Sequence, residues 1–165
     1  MSIPPRNSDP ENILDTRRTF FVTTKTHMGR RLLQCDSNAT LLVDVLRSSV
    51  AAKRFQLHDF VIMPDHLHLL LTLSGDITLE KAMQFIKGGF SFRLKRELGY
   101  SGEVWQRGFS DHRVNDSRSF DNHRRYIALN PVRAGIVSVP EDFPWLLANL
   151  VALKSANGTR VVLRG

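Results

Sequence analysis

Gln56-Leu57-His58-Asp59-Phe60-Val61-Ile62-Met63-Pro64-Asp65-His66-Leu67-His68-Leu69-Leu70-Leu71-Thr72-Leu73 is the stretch on which the fold turns. It holds two apolar runs, Gln56 to Pro64 and Asp65 to Leu73, divided at Pro64-Asp65. Proline cannot donate to a strand ladder, so a break or a tight turn belongs there. The runs read as two hairpin strands or as one interrupted strand. The second run carries two histidines two residues apart. In a strand such residues share a face, roughly 6.5–7 Å apart, while the residue between them enters the other face.

Upstream, Arg18-Thr19-Phe20-Phe21-Val22-Thr23-Thr24-Lys25 is β-branched and aromatic and reads as a strand. Residues 38–54 follow as an amphipathic helix with Asn38 as its cap, because Leu41, Leu42, Val45, Leu46 and Val50 fall at helical spacing. Downstream, Thr78 opens a second helix whose stripe is Leu79, Ala82, Met83, Ile86, Phe90 and Leu94. Gly88-Gly89 interrupts it, at roughly 1 kcal/mol per glycine relative to alanine, and marks a bend or a close approach of backbone to a ligand. Gly99 ends it. Val104-Trp105-Gln106 and His112-Arg113-Val114 read as short extended pieces. Asp116 or Ser117 caps a third helix running to about Leu129, which Asn130-Pro131 terminates. Phe143-Pro144-Trp145 reads as a hydrophobic plug, and Arg160 to Leu163 as a last strand.

The order β-α-β-β-α-(β)-α predicts an α+β fold, an RRM-like or ferredoxin-like antiparallel sheet with helices packed on one face. The 165 residues fit one domain over 18–149, with 1–17 as a flexible leader and 150–165 as a C-terminal extension. A 42% hydrophobic content supplies a core without disulfide or metal. The single cysteine, Cys35, agrees with a reducing cytosol. No run approaches the roughly 18 apolar residues of a membrane span. The start, Met1-Ser2-Ile3-Pro4-Pro5, lacks the apolar core of a secretory signal.

Net charge is +7, from 23 Lys+Arg against 16 Asp+Glu, which favours a polyanionic partner such as nucleic acid. The basic residues expected nearest to bound phosphates are Arg124, Arg125 and Arg133 on the third helix, with Lys87, Arg93 and Arg18 further out; each also reads as a solvated surface charge. Trp105 and Phe109 read as base-stacking groups or as loop anchors. His112 and His123 are candidate phosphate contacts or leaving-group acids.

His66 and His68 could converge on one divalent ion, or stand as two partly exposed histidines that bind nothing. Their apolar surroundings make the second reading costly, since burying ionisable rings requires a metal or hydrogen bonds to offset it. Asp65 would orient an imidazole or simply follow proline in a turn. Of the two tyrosines, Tyr100 sits at a helix end and Tyr126 well inside a helix. Asn130 shares the Tyr126 face one turn on, and its amide oxygen is a hard ligand suited to magnesium or manganese. One helix could thus present a nucleophile and a third metal ligand to the histidine strand.

Pro64-Asp65-His66-Leu67-His68-Leu69-Leu70-Leu71 resembles the histidine–hydrophobic–histidine strand of the HUH single-strand nucleases. Trp105-Gln106-Arg107-Gly108-Phe109-Ser110-Asp111-His112 and Tyr126-Ile127-Ala128-Leu129-Asn130-Pro131-Val132-Arg133-Ala134-Gly135 resemble the later blocks of the REP-associated tyrosine transposases, a bacterial branch of the one-tyrosine transposases. The resemblance runs from about Arg18 to Trp145 in the same block order. It implies an RRM-like HUH nuclease fold. It implies Mg2+ or Mn2+ on His66, His68 and Asn130, and Tyr126 as nucleophile. The implied partners are single-stranded DNA hairpins with imperfect palindromes, cut to a 5′-phosphotyrosine and a free 3′-hydroxyl that can be resealed to another end. A cytoplasmic, nucleoid-associated protein would follow. Monomer and homodimer both stay open. Two readings compete with this one: a hairpin-binding module on the same fold that does not cut, and an unrelated zinc hydrolase whose activity would survive Tyr126→Phe.

Overall fold

The computed structural model describes residues 18–156. The leader 1–17 and the strand expected at 160–163 lie outside the described residues. Strands β1 (Thr19–Lys25), β2 (Phe55–Met63), β3 (His66–Leu73) and β4 (Ser110–Arg113) form one sheet in the order β2-β3-β1-β4, with every neighbouring pair antiparallel. Helices α1 (Asp36–Ala51), α2 (Leu79–Leu98), α3 (Ser117–Arg133) and α4 (Leu147–Ala156) complete an α+β arrangement of the ferredoxin-like, RRM-like kind.

The two apolar runs are a hairpin. Met63 pairs with His66 across a two-residue turn made by Pro64 and Asp65. The register slips once, between Leu57 and Asp59, so His58 is the extra residue of a bulge. That slip explains a pattern strict alternation forbids. Leu57 and Phe60, an odd and an even position, both reach the core beneath α1 and α2.

The expectation of helices on one face holds for α1 and α2 and fails for α3. Leu67, Leu69 and Leu71 of β3 pack with Leu42, Leu46, Met83, Ile86 and Phe90 on one side. Phe21, Val61, Met63 and Leu70 point to the other side, where Ile127 of α3, Val114, Phe143 and Leu146 cover them. A strand apolar on both faces needs two covers, and α3 is the second. The Phe143–Leu146 segment does plug this layer. Its Trp145 carbonyl accepts from the Ile62 N–H at 2.9 Å, which closes the free edge of β2.

Three helix boundaries differ from the sequence reading. α1 begins at Asp36 because Cys35, not Asn38, is the extended capping residue; the Asn38 amide instead donates back to the Leu32 carbonyl at 2.8 Å. α1 stops at Ala51, and Lys53 beyond it adopts a left-handed φ of 61°. α2 runs through Gly88-Gly89 without a break. A Cβ on Gly89 would stand 3.4 Å from Val45 Cγ1, so this glycine faces α1 where the two helices pack, and a Cβ on Gly88 would meet nothing within 4 Å. Thr78 caps α2 by accepting from the Lys81 N–H, and Gly99 ends it at φ 71°. α3 does not stop at Asn130. Pro131 sits inside the helix, and its missing N–H deprives only the Ile127 carbonyl. The N–H groups of Ala134, Gly135 and Ile136 then close on Asn130, Val132 and Pro131.

Phe60 is fully buried between the hairpin and α1/α2. Phe60→Ala is expected to lower the free energy of unfolding by about 3–5 kcal/mol, read as a lower urea midpoint. An unchanged midpoint would mean that this core is not where stability resides.

Candidate active site

The site is built where β3 leaves the hairpin turn. His66 and His68 share the α3 face of the sheet, with ring centroids 4.7 Å apart and ring planes at 76°. Each ring is held from behind. Asp65 Oδ1 lies 2.8 Å from His66 Nδ1. Thr23 Oγ1, across the β1–β3 ladder, lies 2.8 Å from His68 Nδ1. Asp65 therefore does both jobs open to it, since it forms the turn and orients an imidazole. A carboxylate accepts from the Nδ1–H and leaves Nε2 with its lone pair free for a ligand; a Thr23 hydroxyl that accepts does the same for His68.

His68 is buried, and burial first, with the charges of His66 and Lys25 adding to it, pushes its pKa down to about 3. It is neutral at neutral pH, the form a metal requires. His58, at the bulge, is pushed down to about 4 by burial and then by Arg124. Its Nε2 lies 2.8 Å from Thr72 Oγ1. In an unfolded chain both imidazoles take up protons near pH 6.5, whereas in the fold they do so only near pH 4 and pH 3. The unfolded state therefore binds more protons in that interval. Stability is full above about pH 6.5 and declines as pH falls through the interval, by roughly 2 kcal/mol for each histidine at pH 5. Asp59, which burial shifts upward, titrates in the opposite sense. A urea midpoint that does not fall between pH 7 and pH 5 would contradict this.

α3 brings the other two residues. Asp116 caps it by accepting from the Ser119 N–H, and Ile127 anchors it on the sheet. Tyr126 then lies edge-on to His68, with centroids 5.4 Å apart, and to Phe21 at 5.8 Å. Its side chain remains 41% exposed, open to a large substrate. Asn130, one turn on, is buried and lines the same cleft. The cleft holds about 670 Å³ and is lined by His66, His68, Tyr126, Asn130, Thr23, Lys25, Gln106 and Ser110 among others. Two segments some sixty positions apart thus converge. Among the described residues no three His, Cys, Asp or Glu side chains cluster for a metal. The groups in this cleft that could donate to one are the His66 and His68 imidazoles and the Asn130 amide.

The six basic candidates separate. Arg133 lies over the Tyr126 ring, its guanidinium carbon 4.5 Å from the centroid. Arg124 is tied to the buried Asp59 carboxylate at 3.5 Å, and Arg125 donates to Asn122 Oδ1 at 3.0 Å. Of these three only Arg133 touches a residue that lines the cleft, and none of the other three candidates lines it. Lys87 donates to the Gln106 and Gly108 carbonyls and so holds the loop before β4. Arg93 pairs with Asp44 and Glu97, each at 2.7 Å. Arg18 donates to the Leu73, Ser74 and Ile77 carbonyls at the opposite end of β1. Trp105 is a loop anchor, packed on Phe90 with its indole N–H donating to the Lys87 carbonyl. His112 and His123 surround Phe21, at centroid distances of 6.5 and 4.6 Å. Sequence reasoning did not single out Thr23, or Lys25 as a member of the site; the β1–β3 register that places them was not legible.

A family model described as IS200-like transposase matches residues 21–130, a span from Phe21 to Asn130 that includes all four converging residues. The chain belongs to the IS200-like transposase family. Among relatives of this IS200-like transposase, a Haemophilus influenzae protein provisionally named a REP-associated tyrosine transposase is 33% identical over 94 residues, 51% of this chain and 53% of that one. The Escherichia coli REP-associated tyrosine transposase is 26% identical over 133 residues, 80% of this chain and 70% of its own length. The match thus spans about half of the first relative. The fold resembles that of a REP-associated tyrosine transposase solved bound to a REP hairpin, with a TM-score of 0.69 at 23% identity, covering 100% of this chain and 92% of that one. It also resembles a Deinococcus radiodurans protein provisionally described as a transposase, with a TM-score of 0.51 at 21% identity, covering 66% and 87%.

Proposed function

We propose that this IS200-like transposase is a metal-dependent endonuclease and strand transferase for single-stranded DNA hairpins, with Tyr126 as its nucleophile. The observation that carries the reading is the meeting of Tyr126 and Asn130 on α3 with His66 and His68 on β3 in one open cleft. The hairpin-bound structural relative and the REP-associated names of both sequence relatives support the substrate class.

His66, His68 and Asn130 would hold Mg2+ or Mn2+, which when bound polarises a scissile phosphate and offsets charge in the transition state. Asp65 and Thr23 keep the two imidazoles oriented. The Tyr126 oxygen, its proton given up to solvent, bonds to phosphorus as the bond from phosphorus to the 3′ oxygen breaks. That oxygen leaves with the electron pair and takes a proton, so the products are a 5′-phosphotyrosine and a free 3′-hydroxyl. Attack by a 3′-hydroxyl of another end reverses the step without ATP. The reading places the protein at DNA in the bacterial cytoplasm. Among the described residues no helix is long and apolar enough to cross a membrane.

The test uses labelled single-stranded hairpins from around the chain's own gene, with Mn2+ or Mg2+. A labelled species that stays with the protein on a denaturing gel is the expected result. Hairpins that bind on native gels and never become attached would replace this reading with that of a non-cleaving binding module.

A further inference from the structure

We infer that Lys25 is a further catalytic residue, an ammonium that takes the non-bridging phosphate oxygen on the β1 side of the cleft. The inference rests on the reading of Tyr126 as nucleophile. The placement comes from register. On β1 the residues facing α3 are Thr19, Phe21, Thr23 and Lys25, as the Thr23 contact with His68 and the stacking of Phe21 on His68 show. Lys25 stands directly opposite His66 in the ladder and lines the cleft with Tyr126 and Asn130. Directly opposed residues in an antiparallel pair have Cβ atoms about 4.5–5.5 Å apart, so the lysine stem starts beside His66 on the wall of the cleft that a phosphate would enter.

The base of the side chain is held in place. The Lys25 carbonyl accepts from the Gln106 N–H at 2.8 Å, and the next residue, Thr26, donates its N–H to the Asp65 carbonyl at 3.0 Å. The head group is free. Lys25 is exposed, and its ammonium has no hydrogen bond or ion pair among the described residues. Asp65, the nearby carboxylate, is engaged by His66. This sets Lys25 apart from Lys87, Arg93, Arg18 and Arg124, whose charges are engaged elsewhere in the protein.

The chemistry has a use for such a group. As the tyrosine oxygen adds and the 3′ oxygen departs, negative charge spreads over the non-bridging oxygens; the divalent ion of the proposed reading would meet it from the histidines and Asn130, and Lys25 lines the same cleft from β1. A cation on an anchored stretch of backbone beside those oxygens acts where charge develops. Lys25 transfers no proton; it contributes field and position.

The test compares full-length wild type with Lys25→Met and Lys25→Arg in single-turnover adduct formation at saturating hairpin in Mn2+. Lys25→Met is expected to slow the step by about 100-fold or more, the cost of deleting one such donor, with hairpin Kd on native gels held within about threefold. Lys25→Arg should recover most of the rate. Hairpins carrying sulfur in place of either non-bridging oxygen at the scissile phosphate give a readout that a purely structural role would not move. One stereoisomer should react slowly with wild type and lose that penalty in Lys25→Met. An unchanged rate in Lys25→Met, a rate loss matched by an equal loss of hairpin affinity, or a sulfur penalty that ignores the substitution would overturn the inference. If wild type itself forms no adduct, it is the tyrosine reading that falls.

Discussion

Tyr126→Phe is expected to abolish the covalent protein–DNA product while leaving hairpin binding within a few-fold. The loss should be at least ~10⁴-fold in rate, the scale on which removing a covalent nucleophile acts. The substitution takes away one oxygen and keeps the ring. The edge-on contacts with His68 and Phe21 and the Arg133 guanidinium above the ring all survive. With the residue 41% exposed, no buried hydroxyl is lost and the fold should not suffer. The chain has only one other tyrosine, Tyr100. Its hydroxyl accepts from Arg30 Nη1 at 3.0 Å, and neither residue lines the cleft, so Tyr100→Phe should retain the product. A Tyr126→Phe protein that still cuts would return the chain to the competing zinc hydrolase reading.

The hairpin and its flanking helices were legible because β3 and α2 carry strong periodic patterns. What was not legible follows from interactions between distant segments. The bulge at His58 leaves no mark in composition, yet it decides which face Asp59 and Phe60 take. α3 shows a sparse apolar stripe, with Ile127 its one large buried aliphatic side chain, so its side of the sheet could not be read from its own sequence. The clue lay in β3, where Leu67 and Leu70 on opposite faces both required cover. Pro131 misled for a local reason. A proline near a helix end costs one hydrogen bond, and three later N–H groups still closed on the last turn.

His66, His68, Tyr126 and Asn130 could be singled out because i,i+2 in a strand and i,i+4 in a helix each place two side chains on one face. Their meeting across the cleft, and the partners behind them, depend on strand register. Thr23 reaches His68 from 45 positions away. Basic residues were the least readable. Arg18 looked available for phosphate, but its guanidinium is taken up by carbonyls more than fifty residues on. Charge counts therefore describe the partner class better than they identify the contacts.

His68→Ala should cost both chemistry and structure, whereas His66→Ala should cost chemistry alone. His66 is partly exposed and contacts Asp65 and the edge of its neighbour. On the proposed reading, removing it deletes one donor to the metal. His68 is 5% exposed, stacked on Phe21 at 5.2 Å, edge-on to Tyr126 and bonded to Thr23. Its removal opens a void beside the nucleophile and should lower unfolding free energy at neutral pH by roughly 1–3 kcal/mol. Deleting a partner that merely orients a metal ligand typically costs about 10–100-fold, so deleting either proposed ligand should exceed about 100-fold in adduct formation. Mn2+ binding, followed by calorimetry or paramagnetic resonance, should weaken in both variants without reference to activity. The two should part on acid sensitivity. His68→Ala removes an imidazole that burial keeps neutral, so its stability should fall less between pH 7 and pH 5 than that of wild type or His66→Ala. Variants that bind Mn2+ and form adduct as wild type does would place the centre elsewhere. A His68→Ala protein with unaltered acid sensitivity would mean that burial of this ring is not what holds it neutral.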